Sequence, residues 1–509
     1  MSKKSKTPSF ICEFRLAVSP KETKKLHSKF EVARQFYNQC LAEARTRYEL
    51  MRQSKQIQAI RHLPKSQKEE KQNQFSALKK QFQFEEYALH DFAKRLGHAY
   101  FGQHLDSHVL QKLASRAFSA VEKVWYRQAK KVRFKGKYRL ASIEGKSNKT
   151  GIKWRHNQIL WQGLKLKAIL NPKDPLQSYA LQQKVKYVRL LRRKIRTNWH
   201  FYAQLVVQGK PYQKPKKKGA VQLDGVVGLD LGPSSIAIVS EQSADLKAFC
   251  PELVEKAQIK RKFQRKLDRQ RRANNPKNYN ANGTIKKGRK VWKNSKRYAQ
   301  TLDRVSDMER KLAAQRKTSH GTLLNQVLLK GKQFHFEKLN YKAWQKSFFG
   351  KSIKRNAPAQ FIDRLKRKAE CAGASVLEIN TYSTKLSQTC HCGLVKKKKL
   401  SERIHTCECG VLAQRDLYSA YLACFVDQNS GFHAEQAVIA WPSADVLLQT
   451  AWTKAYQTAS VSLLRNSFGK PPSLRQSGSS EKGERSWNSA LGCCTPFGFE
   501  GLGELRDDS

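Results

Sequence analysis

The stretch Val226-Val-Gly-Leu-Asp-Leu-Gly232 is a short apolar run that meets a carboxylate and then a turn, Gly232-Pro-Ser-Ser235. A continuous apolar run of this length, bounded by turn residues, reads as a strand buried on both faces, as in an α/β layer rather than a half-exposed sheet. Ser235-Ile-Ala-Ile-Val-Ser240 reads as a second such strand, and Phe334-His-Phe-Glu337 and Ser375-Val-Leu-Glu-Ile-Asn380 as further short ones. A long basic helical region from Leu253 to Leu329 lies between them. Residues 222–424 therefore read as one α/β unit.

On the N-terminal side, Ile11-Cys-Glu-Phe-Arg-Leu-Ala-Val-Ser19 alternates as a strand does, and Ser19-Pro20 opens a helical stretch running to about Tyr48. The charged, Gln/Lys-rich segment Met51 to Phe84 reads as exposed helix or loop. Helical spacing then resumes through about Val132, with Leu110, Leu113, Ala117, Val121 and Val124 on one face. After Lys137 the period changes. Gln158-Ile-Leu-Trp161, Val185-Lys-Tyr-Val-Arg-Leu-Leu191 and His200-Phe-Tyr-Ala-Gln-Leu-Val-Val-Gln208 read as strands between Gly, Asn and Pro turns. A strand, then helices, then more strands is the pattern of a β-module with a helical domain inserted in it. Lys-rich Pro211 to Gly219 is a plausible linker. Residues 432–465, with Trp441, Trp452 and Tyr456, read as a partly apolar helical segment that packs on the α/β unit or binds a partner. The Ser/Gly/Pro-rich tail after Gly469 is expected to be disordered.

Charge narrows the function classes. The 509 residues carry 99 Lys+Arg against 40 Asp+Glu, a formal net charge of +59. Cations spread over most of the length repel one another unless a polyanion meets them, which points to nucleic acid. A membrane-surface protein would concentrate its charge in a short polybasic segment. No run of 18 or more apolar residues suggests a membrane span, and Met1-Ser-Lys-Lys-Ser-Lys6 lacks the apolar stretch of a secretory signal. Eleven cysteines in this length are no disulfide framework. Four of them crowd into residues 390–409, which suggests a metal and a reducing cytosol.

Three acids stand out by position. Asp230 ends the first buried strand, Glu337 ends another, and Asp416 lies in Gln414-Arg-Asp-Leu-Tyr-Ser-Ala-Tyr-Leu-Ala423, near the start of an apolar helix. A carboxylate at a buried strand end is costly to ionise, and a bound cation changes that balance. Two-metal phosphodiester hydrolysis needs such a cluster, with carboxylates holding two Mg²⁺ (or Mn²⁺) roughly 3.5–4 Å apart. Taken singly, Asp416 is also a reasonable partner for its own helix dipole. Cys390-His-Cys-Gly393 and Cys407-Glu-Cys-Gly410 form two knuckle-like pairs, each ending in a glycine that lets the backbone turn beneath a metal. Four thiolates make a structural Zn²⁺ site. Each pair is one residue shorter than the usual Cys-x2-Cys, which leaves His391 or His405 open as a substitute ligand.

Cations crowd after the first acid: Lys260-Arg-Lys262, Arg269-Gln-Arg-Arg272 and Lys286-Lys-Gly-Arg-Lys290. With few acids nearby, these runs read as phosphate-backbone contacts beside a nuclease centre. Lys396–Lys399, between the cysteine pairs, reads as a cationic loop that grips DNA. Trp344, Phe348 and Phe349 are either core or a platform for unpaired bases.

Val226-Val-Gly-Leu-Asp-Leu-Gly232, Phe336-Glu-Lys-Leu-Asn-Tyr341, Thr389-Cys-His-Cys-Gly393, His405-Thr-Cys-Glu-Cys-Gly410 and Gln414-Arg-Asp-Leu-Tyr-Ser-Ala420 together resemble the C-terminal half of TnpB proteins. These are the OrfB-type nucleases of insertion sequences, related to compact type V CRISPR effectors. Met308-Glu-Arg-Lys-Leu-Ala-Ala-Gln-Arg-Lys317 and His320 resemble the basic helix that precedes that family's glutamate. Tyr418 stands where many members have asparagine. The resemblance is strong over 222–424 and weaker before it, and residues 430–509 have no counterpart.

The resemblance implies an α+β multidomain protein. A wedge-like β-module (1–20 and 133–215) would hold an inserted helical recognition domain (21–132). A RuvC-like nuclease domain of ribonuclease-H fold (216–384 and 413–429) would hold an inserted zinc-ribbon-like module (385–412) that helps load target DNA, followed by a helical extension (430–468) and the tail (469–509). Asp230, Glu337 and Asp416 would be the Mg²⁺-binding acids, and Cys390, Cys392, Cys407 and Cys409 the zinc ligands. A transposon-derived guide RNA, or a CRISPR RNA, would direct a cytoplasmic, nucleoid-associated DNA endonuclease to double-stranded target DNA, without any membrane role. A guided DNA-binding protein that does not cut, and a transposase that joins strands in transposition, share the same acids and fold.

Overall fold

The computed structural model describes residues 8–64, 66–212, 223–399, 401–459 and 468–474. The first residues, most of the Pro211–Gly219 segment and the tail beyond Leu474 lie outside them. The chain divides into two compact units, within residues 1–214 and 215–503.

The first unit opens with β1 (Ser9–Leu16), which buries Phe10, Cys12, Phe14 and Leu16 on one face. A capping box ends the strand and starts α1 (Pro20–Gln53). Glu22 N–H donates to Ser19 Oγ, Glu22 Oε2 accepts from Ser19 N–H at 2.8 Å, and Pro20 occupies the first turn. There follow α2 (Lys55–His62), α3 (Lys68–Gln81), α4 (Glu86–Ala99) and α5 (Ser107–Trp125). Most described residues of the Met51–Phe84 segment are exposed and helical, anchored by the buried Ile57, Ile60 and Leu78.

The chain then makes β2 (Ser142–Glu144), β3 (Lys153–Arg155), β4 (Gln158–Trp161), β5 (Leu164–Ile169), α6 (Pro175–Gln182), β6 (Val185–Ile195) and β7 (Asn198–Gln208). The seven-stranded sheet has the order β2-β6-β7-β1-β5-β4-β3. The earliest strand thus lies between two late ones, antiparallel to both, with the helices inserted between them in sequence.

The second unit begins with β8 (Val226–Leu231), β9 (Ser235–Ser240) and β10 (Ser243–Ala248), which pair antiparallel in sequence order. α7 (Leu253–Asn274) and α8 (Lys296–Leu328) follow, then β11 (Gln333–Glu337). After α9 (Tyr341–Trp344), α10 (Gly350–Asn356) and α11 (Pro358–Cys371) comes β12 (Ser375–Ile379). β11 runs parallel to both β8 and β12, which gives the order β10-β9-β8-β11-β12. One face packs on α8 and α11 through Leu312, Leu324, Val327, Phe361 and Leu365.

α12 (Thr381–Thr384) leads into the cysteine segment, closed by β13 (Ile404–Thr406) and β14 (Leu412–Gln414). α13 (Arg415–Ala423) and α14 (Ala434–Thr458) then cover the other face of the sheet. Leu448 and Trp452 of α14 are buried in this core, so the described part of the 432–465 segment, through Ala459, packs on its own unit, and residues 460–465 lie outside the described residues.

Candidate active site and metal centre

Two parallel neighbours set the first pair of acids. Phe336 of β11 pairs with Leu229 of β8, and the next residues along are Glu337 and Asp230. Adjacent strands lie about 4.8 Å apart, so the two carboxylates leave the sheet side by side.

Asp416 arrives from above the sheet, in the first turn of α13. That helix can lie close because position 228 has no side chain. A Cβ on Gly228 would stand 1.8 Å from the Ala420 carbonyl oxygen. His335 of β11 holds the other end of α13 through its Nδ1, 3.0 Å from the Ala423 carbonyl oxygen. Ser235 Oγ donates to Asp416 Oδ2 at 3.4 Å, and Gln414 Oε1 caps the helix by accepting the Leu417 N–H at 2.8 Å.

The electrostatics record the convergence. Burial, followed by the charges of Asp416 and Glu337, holds the Asp230 carboxyl well above the usual range, and Arg415 opposes them. Burial pushes Glu337 up to about 7 despite a hydrogen bond from the Leu386 backbone N–H. The Tyr341 hydroxyl, buried without a hydrogen-bond partner, is pushed up by burial and by both Asp230 and Glu337. Three crowded carboxyls and an orphaned phenol suit a cation, whose charge would relieve the repulsion. Tyr341 closes the Phe336–Tyr341 motif and Arg415 lies in the Gln414–Ala420 motif, so both had a signal; Ser235 and the Leu386 backbone carried none.

The cysteines converge more tightly. The four sulfurs all lie within 4.8 Å of one another, with Cys390 to Cys409 and Cys392 to Cys407 each at 3.5 Å. Sulfurs about 2.3 Å from one tetrahedral ion lie roughly 3.8 Å apart, so the set fits Zn²⁺. Among the described residues this is the one group of three or more potential ligands gathered so closely, and the acids are not.

The shortened pairs succeed because both halves close by the same turn. Cys390 N–H donates to Leu394 O and Gly393 N–H to Cys390 O. Cys407 N–H donates to Val411 O and Gly410 N–H to Cys407 O. Gly393 and Gly410 adopt φ of 88° and 94°, open to glycine without strain.

Neither histidine joins the thiols. His405 receives the Lys398 ammonium at Nδ1 and lies 4.3 Å from the Tyr418 ring, and His391 packs on Trp441 at 5.3 Å.

Two side chains tie this cluster to the acids. Arg415 Nη2 sits 3.3 Å from Asp416 Oδ1 while its Nη1 donates to the Glu402 carbonyl at 2.8 Å. The buried Tyr418 hydroxyl accepts the His391 N–H at 3.0 Å and lies 3.3 Å from Cys390 Sγ.

Residues 359–422, which include both knuckles and Asp416, match the family described as Cas12f1-like, TNB domain. No curated protein sequence matches the chain. Among solved structures, a Cas12f1–sgRNA–target DNA complex is similar at 13% identity and a TM-score of 0.44, over 79% of this chain and 82% of that one. A CRISPR-Cas12f ternary complex is similar at 12% identity and a TM-score of 0.26, over 82% and 84%.

Outside the Cas12f1-like segment, the long basic helical region is two helices, joined by a connection in which a Tyr279–Ile285 hairpin is followed by Lys286, Lys287 and Arg289. Asparagines lock that connection. Asn275 accepts the Lys293 N–H at 2.6 Å and donates to the Lys293 carbonyl at 2.9 Å, and Asn278 donates to Val291 O at 2.8 Å. The Arg271 guanidinium stacks 3.7 Å over Trp292.

Ala257 is the last buried residue of α7 and Asn274 its last residue, so this finger stands about 25 Å along the helix beyond the buried end. The cations near its end therefore sit out along the arm, whereas Lys260, Arg261 and Lys262 follow the buried Ala257 within about two turns. Lys260 is held by Glu309 of α8 at 2.7 Å. In the loop between the cysteine pairs Lys396, Lys397 and Lys399 are exposed, while Lys398 turns inward to His405. Phe348 is fully exposed and Trp344 half-buried, so the aromatic cluster after Glu337 is not core. Among the described residues no helix is long and apolar enough to cross a membrane.

Proposed function

We propose that this protein is an RNA-guided DNA endonuclease of the compact type V/TnpB kind, hydrolysing phosphodiester bonds at a RuvC-like, two-metal site of Asp230, Glu337 and Asp416. One observation carries the reading. Acids from three elements meet at one end of a mixed sheet, Asp230 and Glu337 one residue past the paired Leu229 and Phe336 and Asp416 in the first turn of α13 above them, where burial and the other two charges hold the Asp230 carboxyl above its ordinary range. Three antiparallel strands followed by two parallel to the first is the order a ribonuclease-H-like domain calls for.

The donor set suits Mg²⁺ or Mn²⁺, which takes a few carboxylates and completes its shell with water and phosphate. Ligands spread over two ions need not crowd as four ligands of one ion must, which agrees with the looser spacing of the acids. When bound, the ions would supply a water activated for attack and a counter-charge for the leaving oxygen. The protein's share is positional. The sheet fixes Asp230 and Glu337 side by side, Gly228 admits α13, and Ser235 and Arg415 orient Asp416.

The four cysteines would hold Zn²⁺ as a structural ion, and the TNB-like segment would sit against target DNA. The related complexes are named for guide RNA and target DNA. With a net charge of +59, those partners fit this chain, and they imply a cytoplasmic, nucleoid-associated protein whose guide comes from a transposon or a CRISPR array. Exposed Phe348 and half-buried Trp344 are placed to stack on unpaired bases.

The test uses full-length protein purified with its co-expressed RNA and a matched double-stranded DNA in Mg²⁺. Wild type should cut. Asp230→Asn should bind equally and cut at least about a thousandfold more slowly, since metal-borne charge stabilisation is worth several kcal/mol. Undiminished cutting by Asp230→Asn would end the assignment.

A further inference from the structure

Tyr418 occupies an unusual position. It is buried at 1% exposure, two residues beyond Asp416 on α13, yet its hydroxyl ends inside the cysteine knuckle rather than near the acids. That hydroxyl already accepts the His391 backbone N–H at 3.0 Å, so its own hydrogen is free to point at Cys390 Sγ, 3.3 Å away. His391 lies between two of the four thiols, so one phenol touches both a sulfur and the backbone of the first Cys-x-Cys pair. The ring is wedged by His405 at 4.3 Å and by Trp441 edge-on at 5.4 Å, which leaves little freedom to swing away. Tyr421, one turn further along the same helix, provides a contrast: its hydroxyl donates to the Ala437 carbonyl and makes no contact with the cysteines.

We propose that the Tyr418 hydroxyl is a positioning group shared by the metal centre and the candidate nuclease helix. It hydrogen-bonds the Cys390 thiolate, steadies the first knuckle through His391, and links occupancy of the four thiols to the placement of the turn that presents Asp416. The proposal rests on the reading of the cysteines as a zinc site. A donor on a metal-bound thiolate spreads its charge and orients the ligand, and partners of this kind are commonly worth about 10–100-fold in metal affinity.

The experiment compares wild type, Tyr418→Phe, Tyr418→Gln and Tyr421→Phe as full-length chains. Zinc retention is read by competition with a chromophoric chelator, and the thiolate-to-metal charge-transfer band is read after Co²⁺ substitution. Tyr418→Phe should release zinc at about 10–100-fold lower chelator activity and shift the Co²⁺ band to lower energy, because the sulfur has lost a proton donor. Tyr418→Gln, whose amide can both donate and accept, should recover part of both effects, and Tyr421→Phe should match wild type. Guided cleavage by Tyr418→Phe should fall at correspondingly lower chelator, without being abolished. Zinc retention and a Co²⁺ band within twofold of wild type in Tyr418→Phe would overturn the proposal. So would equal losses in Tyr421→Phe, or failure of both Tyr418 variants to fold with metal bound, which would make the residue a core side chain only. A wild-type chain that binds neither metal would remove the zinc reading itself, while leaving the Asp230→Asn comparison standing.

Discussion

The cysteine cluster and the acidic cluster share α13 but are assembled in opposite ways. The four thiols come from two neighbouring turns of one repeated design, so a few local hydrogen bonds suffice to bring them within 4.8 Å. The acids come from residues 230, 337 and 416, and nothing local holds them together. A five-stranded sheet and one closely laid helix do so against their mutual repulsion. A site made of neutral thiols can close on itself, whereas a site made of carboxylates must be held by its surroundings until a cation arrives. The first should therefore survive damage to the sheet, and the second should not.

Gly228→Ala is the severest way to break this contrast. The new methyl would meet the Ala420 carbonyl oxygen at 1.8 Å, a backbone atom that cannot step aside. α13 should lift, with a loss of about 3 kcal/mol or more in stability from overpacking and loss of guided cleavage. Zinc should still bind, held at most as much more weakly as in Tyr418→Phe, because α13 also carries the Tyr418 hydroxyl. Loss of zinc along with cleavage would show that the two centres are one cooperative unit.

The converse comes next in size. Cys407→Ser should lower zinc from about one per chain toward none, because a structural site needs its full ligand set. Cleavage should fall but persist, since Asp230 and Glu337 stand on strands the knuckle does not build. Elemental analysis alongside cleavage rates would check both halves, and complete loss of cutting with an intact fold would blur the distinction.

The smallest effect concerns the support beneath the acids. His320 Nε2 donates to the Asn356 carbonyl at 2.8 Å, and Asn356 Nδ2 donates to Pro233 O at 2.8 Å, bracing the turn just after Asp230. Burial pushes the His320 imidazole down to about 4. Because its folded value lies below its ordinary one, the stability it confers is present above pH 6.5 and is lost as pH falls through about 4. His320→Gln should flatten that acid limb in thermal melts by up to about 3 kcal/mol, with zinc binding at neutral pH unchanged.

Much of this was legible in the sequence, and the contrast explains what was not. Both centres announced themselves by residue type: Asp230 and Glu337 through the apolar runs they terminate, the cysteines through their clustering. Spacing counts favoured Cys-x2-Cys and kept the histidines open as ligands; only backbone geometry showed that each shortened pair still closes. Gly228 stood in plain view inside a strand, but its purpose depends on Ala420, 192 residues later, and a single strand cannot reveal which helix will cross it. The basic run after Asp230 showed its cations but not their support: two helices carry much of that charge outward along an arm.

The arm also bears on how this chain tolerates change. Asn274 at the end of one helix reaches Ser295 at the start of the next at 3.1 Å, so the base of the finger is closed before the hairpin begins. Residues 276–293 therefore form a detachable appendix. Lengthening or shortening them should leave the layers that set Asp230 beside Glu337 undisturbed, provided Lys293 is kept to satisfy the buried Asn275.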